Sequence, residues 1–244
     1  MHHRILERWS RGTSPIHGLD PRAKIAALLV FLIVLATAHR SLALLSAGLF
    51  LLLAGGVFRA RLPLWAVIER AALVLPFSLV FAIISWAAGD PARGLSLLAK
   101  SYLSALAVLL VVATTPLPSL LSGLEQAGVP RFLLLVGQFL YRYLFVIVEE
   151  AQCMRAAAAA RAGSARAWLA GTARFGAAAG ALAVLFARSY GRAEHIHRAM
   201  LARGFQGNFQ KLERNSFRMS DAGFALTASL AVVALRLAAE RLAW

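Results

Sequence analysis

The chain has 244 residues, of which 60% are hydrophobic and only 15% charged, and its mean hydropathy is +0.69. So apolar a chain cannot hide its side chains in one water-soluble core, because soluble domains carry about a quarter charged residues, and membrane insertion is the natural resolution. Its 26 basic against 11 acidic residues give a net charge of +15, which suits anionic lipid headgroups or acidic protein surfaces and, on so hydrophobic a chain, not nucleic acid.

The opening stretch, Met1-His-His-Arg-Ile-Leu-Glu-Arg-Trp-Ser10, is polar and basic. It lacks the compact apolar segment and small-residue cleavage site of a signal peptide, so residues 1–22 are expected to form a cytoplasmic amino-terminal segment. Ile16-His-Gly-Leu-Asp-Pro-Arg22 is turn-rich, with Asp20 suited to cap a helix and Pro21 to its first turn. A first spanning helix is predicted over residues 23–38 and a second over 42–58, joined through His39-Arg40-Ser41 as a hairpin.

Arg59-Ala-Arg-Leu-Pro63 closes the hairpin with positive charge, and a third span follows over 64–88, where Pro76 introduces a kink. Gly89-Asp-Pro-Ala-Arg-Gly94 reads as a tight loop before a fourth span, 95–114, which Thr114-Thr-Pro-Leu-Pro118 ends because neither proline can continue a helix. With the amino terminus, the Arg59/Arg61 loop and the chain after Pro116 in the cytoplasm, the sparsely charged His39-Arg40 and Asp90-Arg93 loops lie outside, as the positive-inside rule requires.

Residues 119–221 hold half of the basic side chains yet still contain apolar runs. A short amphipathic helix over 119–127 is closed by Gly128-Val-Pro130, and two long helices follow over 131–161 and 165–203. At 1.5 Å per residue these extend about 45–60 Å, longer than a bilayer's hydrocarbon layer. A last apolar helix over 222–239 re-enters the membrane. The expected fold is thus an all-α integral membrane protein with about five transmembrane helices, six if 167–186 also crosses. It divides into a leading segment (1–22), a four-helix section (23–115), a section of basic helices (116–221), and a final helix (222–244).

Chemistry-bearing residues gather in the two long helices. At 100° per residue Arg188, Arg192, His195 and Arg203 share one side of the second, while Leu182, Phe186, Ala193, Ile196 and Met200 share another. This basic stripe could rest on a membrane or face a partner. Gly204 stops the helix just after Arg203, and the first long helix ends similarly in Ala160-Arg161-Ala162-Gly163. An arginine at a helix carboxyl end complements the helix dipole, a purely structural role. It is also the side chain best shaped for forked bonding to carboxylates or carbonyls at an interface, and the paired occurrence favours that use. On the first long helix Gln138, Arg142, Glu149 and Gln152 fall on one narrow face, which suits protein rather than lipid, with helix packing preferred to substrate contact. Glu69 and Arg70 belong to the membrane interface.

Other chemistries find little support. Cys153 is the only cysteine, which excludes an internal disulfide and a cysteine-based zinc cluster. His195 and His197 stand about 200° apart around a helix and cannot readily clasp one ion, and Met1-His2-His3 offers only an amino-terminal tail. No P-loop is present, so any ATP energy comes from a partner. An enzyme of lipid metabolism needs clustered carboxylates, whereas the acids here are scattered apart from Glu149-Glu150. A stand-alone secondary transporter or channel needs ionisable groups at mid-membrane and often a repeat, and the spans show little of either.

Three segments carry a resemblance to the transmembrane coupling (T) components of energy-coupling factor importers, especially the cobalt/nickel type CbiQ. Arg188-Ser-Tyr-Gly-Arg-Ala-Glu-His-Ile-His-Arg-Ala-Met-Leu-Ala-Arg-Gly-Phe-Gln-Gly207 resembles the family's second coupling-helix signature. Ser14-Pro-Ile-His-Gly-Leu-Asp-Pro-Arg22 resembles its opening motif, and Tyr141-Arg-Tyr-Leu-Phe-Val-Ile-Val-Glu-Glu150 its first coupling helix. The resemblance implies that two Ala-Arg-Gly-like triplets, Ala160-Arg161-Ala162 and Ala202-Arg203-Gly204, insert into grooves of two cytoplasmic ATPase subunits or a dimer of one. Alanine stands where the first triplet normally has glycine. Arg142, Glu149, Arg188, Arg192 and Glu194 would support the coupling helices. It further implies a membrane substrate-binding (S) component, CbiM-like for cobalt or nickel. ATP and Mg would be bound by the ATPases, with no cofactor or metal on this chain. The location would be a bacterial or archaeal inner membrane. A vitamin such as biotin remains open as cargo.

Overall fold

The computed structural model describes residues 9, 10, 12, 14–38, 42–161, 171–207 and 218–242. Among them every regular element is a helix: α1 (Pro21–Thr37), α2 (Leu42–Arg59), α3 (Leu64–Ala71), a 3₁₀ turn (Ala72–Val74), α4 (Leu75–Ala87), α5 (Pro91–Thr114), α6 (Leu117–Gln126), α7 (Arg131–Arg161), α8 (Gly171–Ala202) and α9 (Met219–Leu242). Two compact units emerge, one of Met1–Arg131 with Asn215–Trp244 and one of Phe132–Arg214.

Local chemistry sets the helix boundaries of the first unit. Asp20 caps α1 by accepting from the Arg22 N–H at 2.9 Å, with Pro21 in the first turn, and Asp90 caps α5 through the Arg93 N–H at 3.1 Å, with Pro91 in the first turn. The third predicted span is interrupted where Pro76 was expected to kink it: Pro76 has no N–H to offer, and the chain tightens into the 3₁₀ turn Ala72–Val74 just before it. Gly128, with φ +96°, closes α6 with bonds from Gly128 N–H to Glu125 O and from Val129 N–H to Leu124 O. This is the paired-bond ending that a left-handed residue permits. At the end of α2 the same geometry falls on Arg61, φ +55°, the one described non-glycine residue in that region.

The first unit buries a continuous apolar core that includes Phe31, Leu35, Leu49, Leu53, Val57, Val67, Leu106 and Val232. Helices α1, α2, α5 and α9 pack around it, α4 lies along α5, and α6 lies on α1. Where α4 meets α5, a Cβ on Gly94 would stand 2.8 Å from the Ala82 carbonyl oxygen, so the backbones touch there because no side chain intervenes. Helices 64–87, 91–114, 131–160 and 219–241 are long and apolar enough to cross a membrane. Many large side chains along α3 and α4, among them Trp65, Phe77, Ile83 and Trp86, stay exposed on the chain, as lipid-facing positions do. The chain is an all-α membrane protein. Three of these long helices coincide with predicted spans. The fourth, α7, is apolar over much of a length that the resemblance assigns to a coupling helix.

Helix ends in the first unit are satisfied by cations from neighbouring helices. Lys24, only 3% exposed, donates to Thr114 O and Thr115 Oγ1, both at 3.0 Å, at the end of α5. Lys100 donates to Ala38 O at 2.6 Å and Ala36 O at 3.3 Å, while Arg236 donates to Thr37 Oγ1, so two side chains close the end of α1. Asp221 accepts from the N–H groups of Asp20 and Arg218, joining the starts of α1 and α9. Asp20, Lys24, Thr114, Thr115 and Asp221 are all buried.

Candidate functional site

The candidate site lies in the second unit. Helices α7 and α8, with 31 and 32 residues, extend about 46 and 48 Å at the standard rise. Between them Glu150 is held by two arginines one turn apart on α8: Arg188 Nη1 donates to Oε1 at 2.8 Å and Arg192 Nη2 to Oε2 at 2.9 Å. Each carboxylate oxygen thus takes its own guanidinium through one charge-assisted hydrogen bond. An open cleft of about 600 Å³ lies beside the clamp, with His195, Ile196 and Ala199 on its α8 side.

The carboxyl end of α8 is built to present its arginine. Gly204 takes φ +77°, and two bonds close the helix, Gly204 N–H to Leu201 O at 2.9 Å and Phe205 N–H to Met200 O at 3.0 Å. Arg203 occupies the last half-helical position and is exposed, as are Ala202 and Gly204. The end of α7 is described through Arg161, with Ala160 exposed. The Arg161 side chain and Ala162 lie outside the described residues.

The predicted supporting residues are brought together only in part. Arg188 and Arg192 meet, through Glu150. Glu194 pairs with Arg198 on its own helix at 2.6 Å, Arg142 sits over the Tyr143 ring at 5.9 Å, and Glu149 is exposed. Glu150, missing from the predicted set, is the partner that joins the helices. It lies 100° around α7 from Glu149, off the face that groups Gln138 with Arg142. A usable signal was present: Arg188 and Arg192 stand four apart, a spacing that invites a shared carboxylate, and Glu149 and Glu150 are the only acids on α7. The apolar side expected on α8 is uncovered at Leu182 and Phe186, while Ile196 and Met200 are half-buried. Among the described residues no three His, Cys, Asp or Glu side chains converge as a metal cluster.

A family profile described as cobalt transport protein, CbiQ, matches residues 12–213. Among curated proteins the chain is similar to the cobalt transport protein CbiQ of Rhodobacter capsulatus, with 32% identity over 62% of this chain, and it spans 61% of that relative's length. It is similar to the energy-coupling factor transporter transmembrane protein EcfT of Bacillus selenitireducens, with 27% identity over 83% of this chain and 84% of the relative. An uncharacterised protein of Methanocaldococcus jannaschii is 23% identical over 97% of this chain and 87% of its own length.

Proposed function

The chain belongs to the CbiQ cobalt transport protein family, and from that premise we propose that it is the transmembrane coupling subunit of an energy-coupling factor importer. The observation that carries this reading is the end of α8, where a glycine-closed helix presents an exposed Arg203. The α7 end supplies the second contact through Ala160-Arg161-Ala162. Two cytoplasmic ATPase subunits, or a dimer of one, receive these ends in their grooves, and bind the ATP and Mg. Closure of the ATPases on ATP displaces the helix ends. Because Glu150 ties α7 to α8, the pair moves together and reorients a substrate-binding membrane subunit resting on the uncovered apolar faces. Arg142, Glu149 and Glu194 support the helices from their exposed sides.

The cargo is a cobalt or nickel ion held by a separate, CbiM-like subunit, and the setting is the cytoplasmic membrane of a bacterium or archaeon with the amino terminus inside. The name of the Rhodobacter capsulatus relative supports cobalt, and that of the Bacillus selenitireducens relative supports the energy-coupling factor class. The test is purification with and without candidate ATPase subunits. Stable co-purification that disappears when Arg161 and Arg203 are both changed to Ala is the expected result. Autonomous cobalt uptake into liposomes by the chain alone would defeat the proposal in favour of a stand-alone transporter.

A further inference from the structure

We propose that the cleft among α1, α2, α5 and α9 binds one acyl chain of an anionic glycerophospholipid, with the lipid phosphate on Arg59. The cleft has a volume of about 440 Å³ and walls that are almost wholly apolar, including Leu28, Phe31, Leu53, Leu110 and Phe224. Two cations reach it, Lys24 and Arg59. The Lys24 ammonium is already taken by Thr114 O and Thr115 Oγ1, so the headgroup falls to Arg59, which is exposed at the carboxyl end of α2.

The wall of α2 has the form such a ligand needs. Gly55 and Arg59 are four apart and therefore share a face, and both line the cleft. No heavy atom lies within 4 Å of where a Gly55 Cβ would stand, so the groove stays open one turn below the arginine. A chain lying past Gly55 brings its head to Arg59, at the end of the bundle shared by Asp20, Thr114 and Asp221. A single acyl chain is slender enough for this groove. Its anionic head suits both Arg59 and a chain of net charge +15, since basic pockets between membrane helices take anionic headgroups. The proposal needs only that the bundle sits in a bilayer and stands apart from the coupling role.

The test is native mass spectrometry of the 244-residue chain extracted in a mild detergent, followed by titration of the delipidated protein with dioleoylphosphatidylglycerol or dioleoylphosphatidylcholine. The expected result is one retained phosphatidylglycerol per chain. Arg59→Gln should weaken phosphatidylglycerol about fivefold and leave phosphatidylcholine unchanged, whereas Gly55→Leu, growing into open space, should weaken both. Gly55→Ala keeps the fold with a single added methyl and should give an intermediate loss, checked by circular dichroism. Wild-type lipid retention in both Gly55 variants overturns the proposal. So does competition by glycerophosphate as effective as by the lipid, which would assign Arg59 to a free phosphate. Loss of a co-purifying membrane subunit in Gly55→Leu with lipid occupancy unchanged also overturns it, giving the cleft to a protein segment.

Discussion

Replacing Gly204 by alanine separates the arginine from the device that presents it. At φ +77° the glycine occupies left-handed space that costs an L-residue roughly 1–2 kcal/mol. Its missing Cβ would touch nothing within 4 Å, so no clash contributes and the cost is purely conformational. That cost bears on the two bonds closing α8, at 2.9 and 3.0 Å, and should lower the population of the closed end about 5- to 30-fold. Arg203→Ala instead leaves the closure intact and removes the guanidinium. Truncating a buried charge-assisted contact at an interface costs about 2–5 kcal/mol, or roughly 30-fold and upward in affinity. The assay is binding of purified ATPase subunits to the detergent-solubilised chain, with Gly204→Asn, which tolerates left-handed space better, as an intermediate. The expected order of weakening is Arg203→Ala, then Gly204→Ala, then Gly204→Asn. Full binding by Gly204→Ala alongside loss in Arg203→Ala would refute the closure as the means of presentation. Full binding by all three would remove Arg203 from the interface altogether.

Other substitutions test the frame around this site. Lys24→Met leaves Thr114 O and Thr115 Oγ1 without their buried donor and should destabilise the chain by about 2–4 kcal/mol, read as a lower melting temperature in detergent. Gly94→Ala places a methyl 2.8 Å from a backbone oxygen and should cost about 1–3 kcal/mol by forcing α4 from α5, again seen on melting. Arg61→Gly relieves a left-handed arginine and should raise stability by about 1 kcal/mol; an unchanged or lower melting point would count against strain there. Glu150→Gln removes the carboxylate shared by Arg188 and Arg192, so spin labels on α7 and α8 should show a broader distance distribution, and adding Arg188→Gln should broaden it little further.

Local features were legible in the sequence because their causes are local. Asp20-Pro21 announces a helix start, and Gly128 and Gly204 announce stops, since capping and left-handed closure act over a few residues; Asp90-Pro91 carries the same start signal, but residues 89–94 read as a loop and the helix begins at Pro91 rather than at 95. The left-handed ending at Arg61 escaped the same reasoning because its side chain gives no sign of it. Cross-helix partners were harder. Lys100 finds α1 carbonyls more than 60 positions away and Arg236 finds Thr37 across 199, and no periodicity within one helix encodes such a meeting. Glu150 fell between the two cases: a face drawn on α7 alone selects Glu149, whereas the spacing of Arg188 and Arg192 on α8 asks for a carboxylate without saying which.

Lys100 and Arg236 answer a length mismatch. Helix α1 has 17 residues, about 26 Å, against a hydrocarbon layer near 30 Å. Its last carbonyls therefore end where lipid cannot hydrogen-bond them, and each unsatisfied group there costs several kcal/mol. Lys100 and Arg236 close that end from α5 and α9, as Lys24 closes the end of α5 from α1. Charges that in another membrane protein would suggest an ion path are here committed to backbone oxygens. Moving any of them would uncover a helix end, so the first unit is suited to act as a rigid frame. The second unit holds its charge differently, in an exposed clamp at Glu150 and an exposed arginine at the end of α8. The exposed arginine can exchange partners at little cost in water, the property that the proposed coupling role requires of it, while the clamp keeps α7 and α8 together.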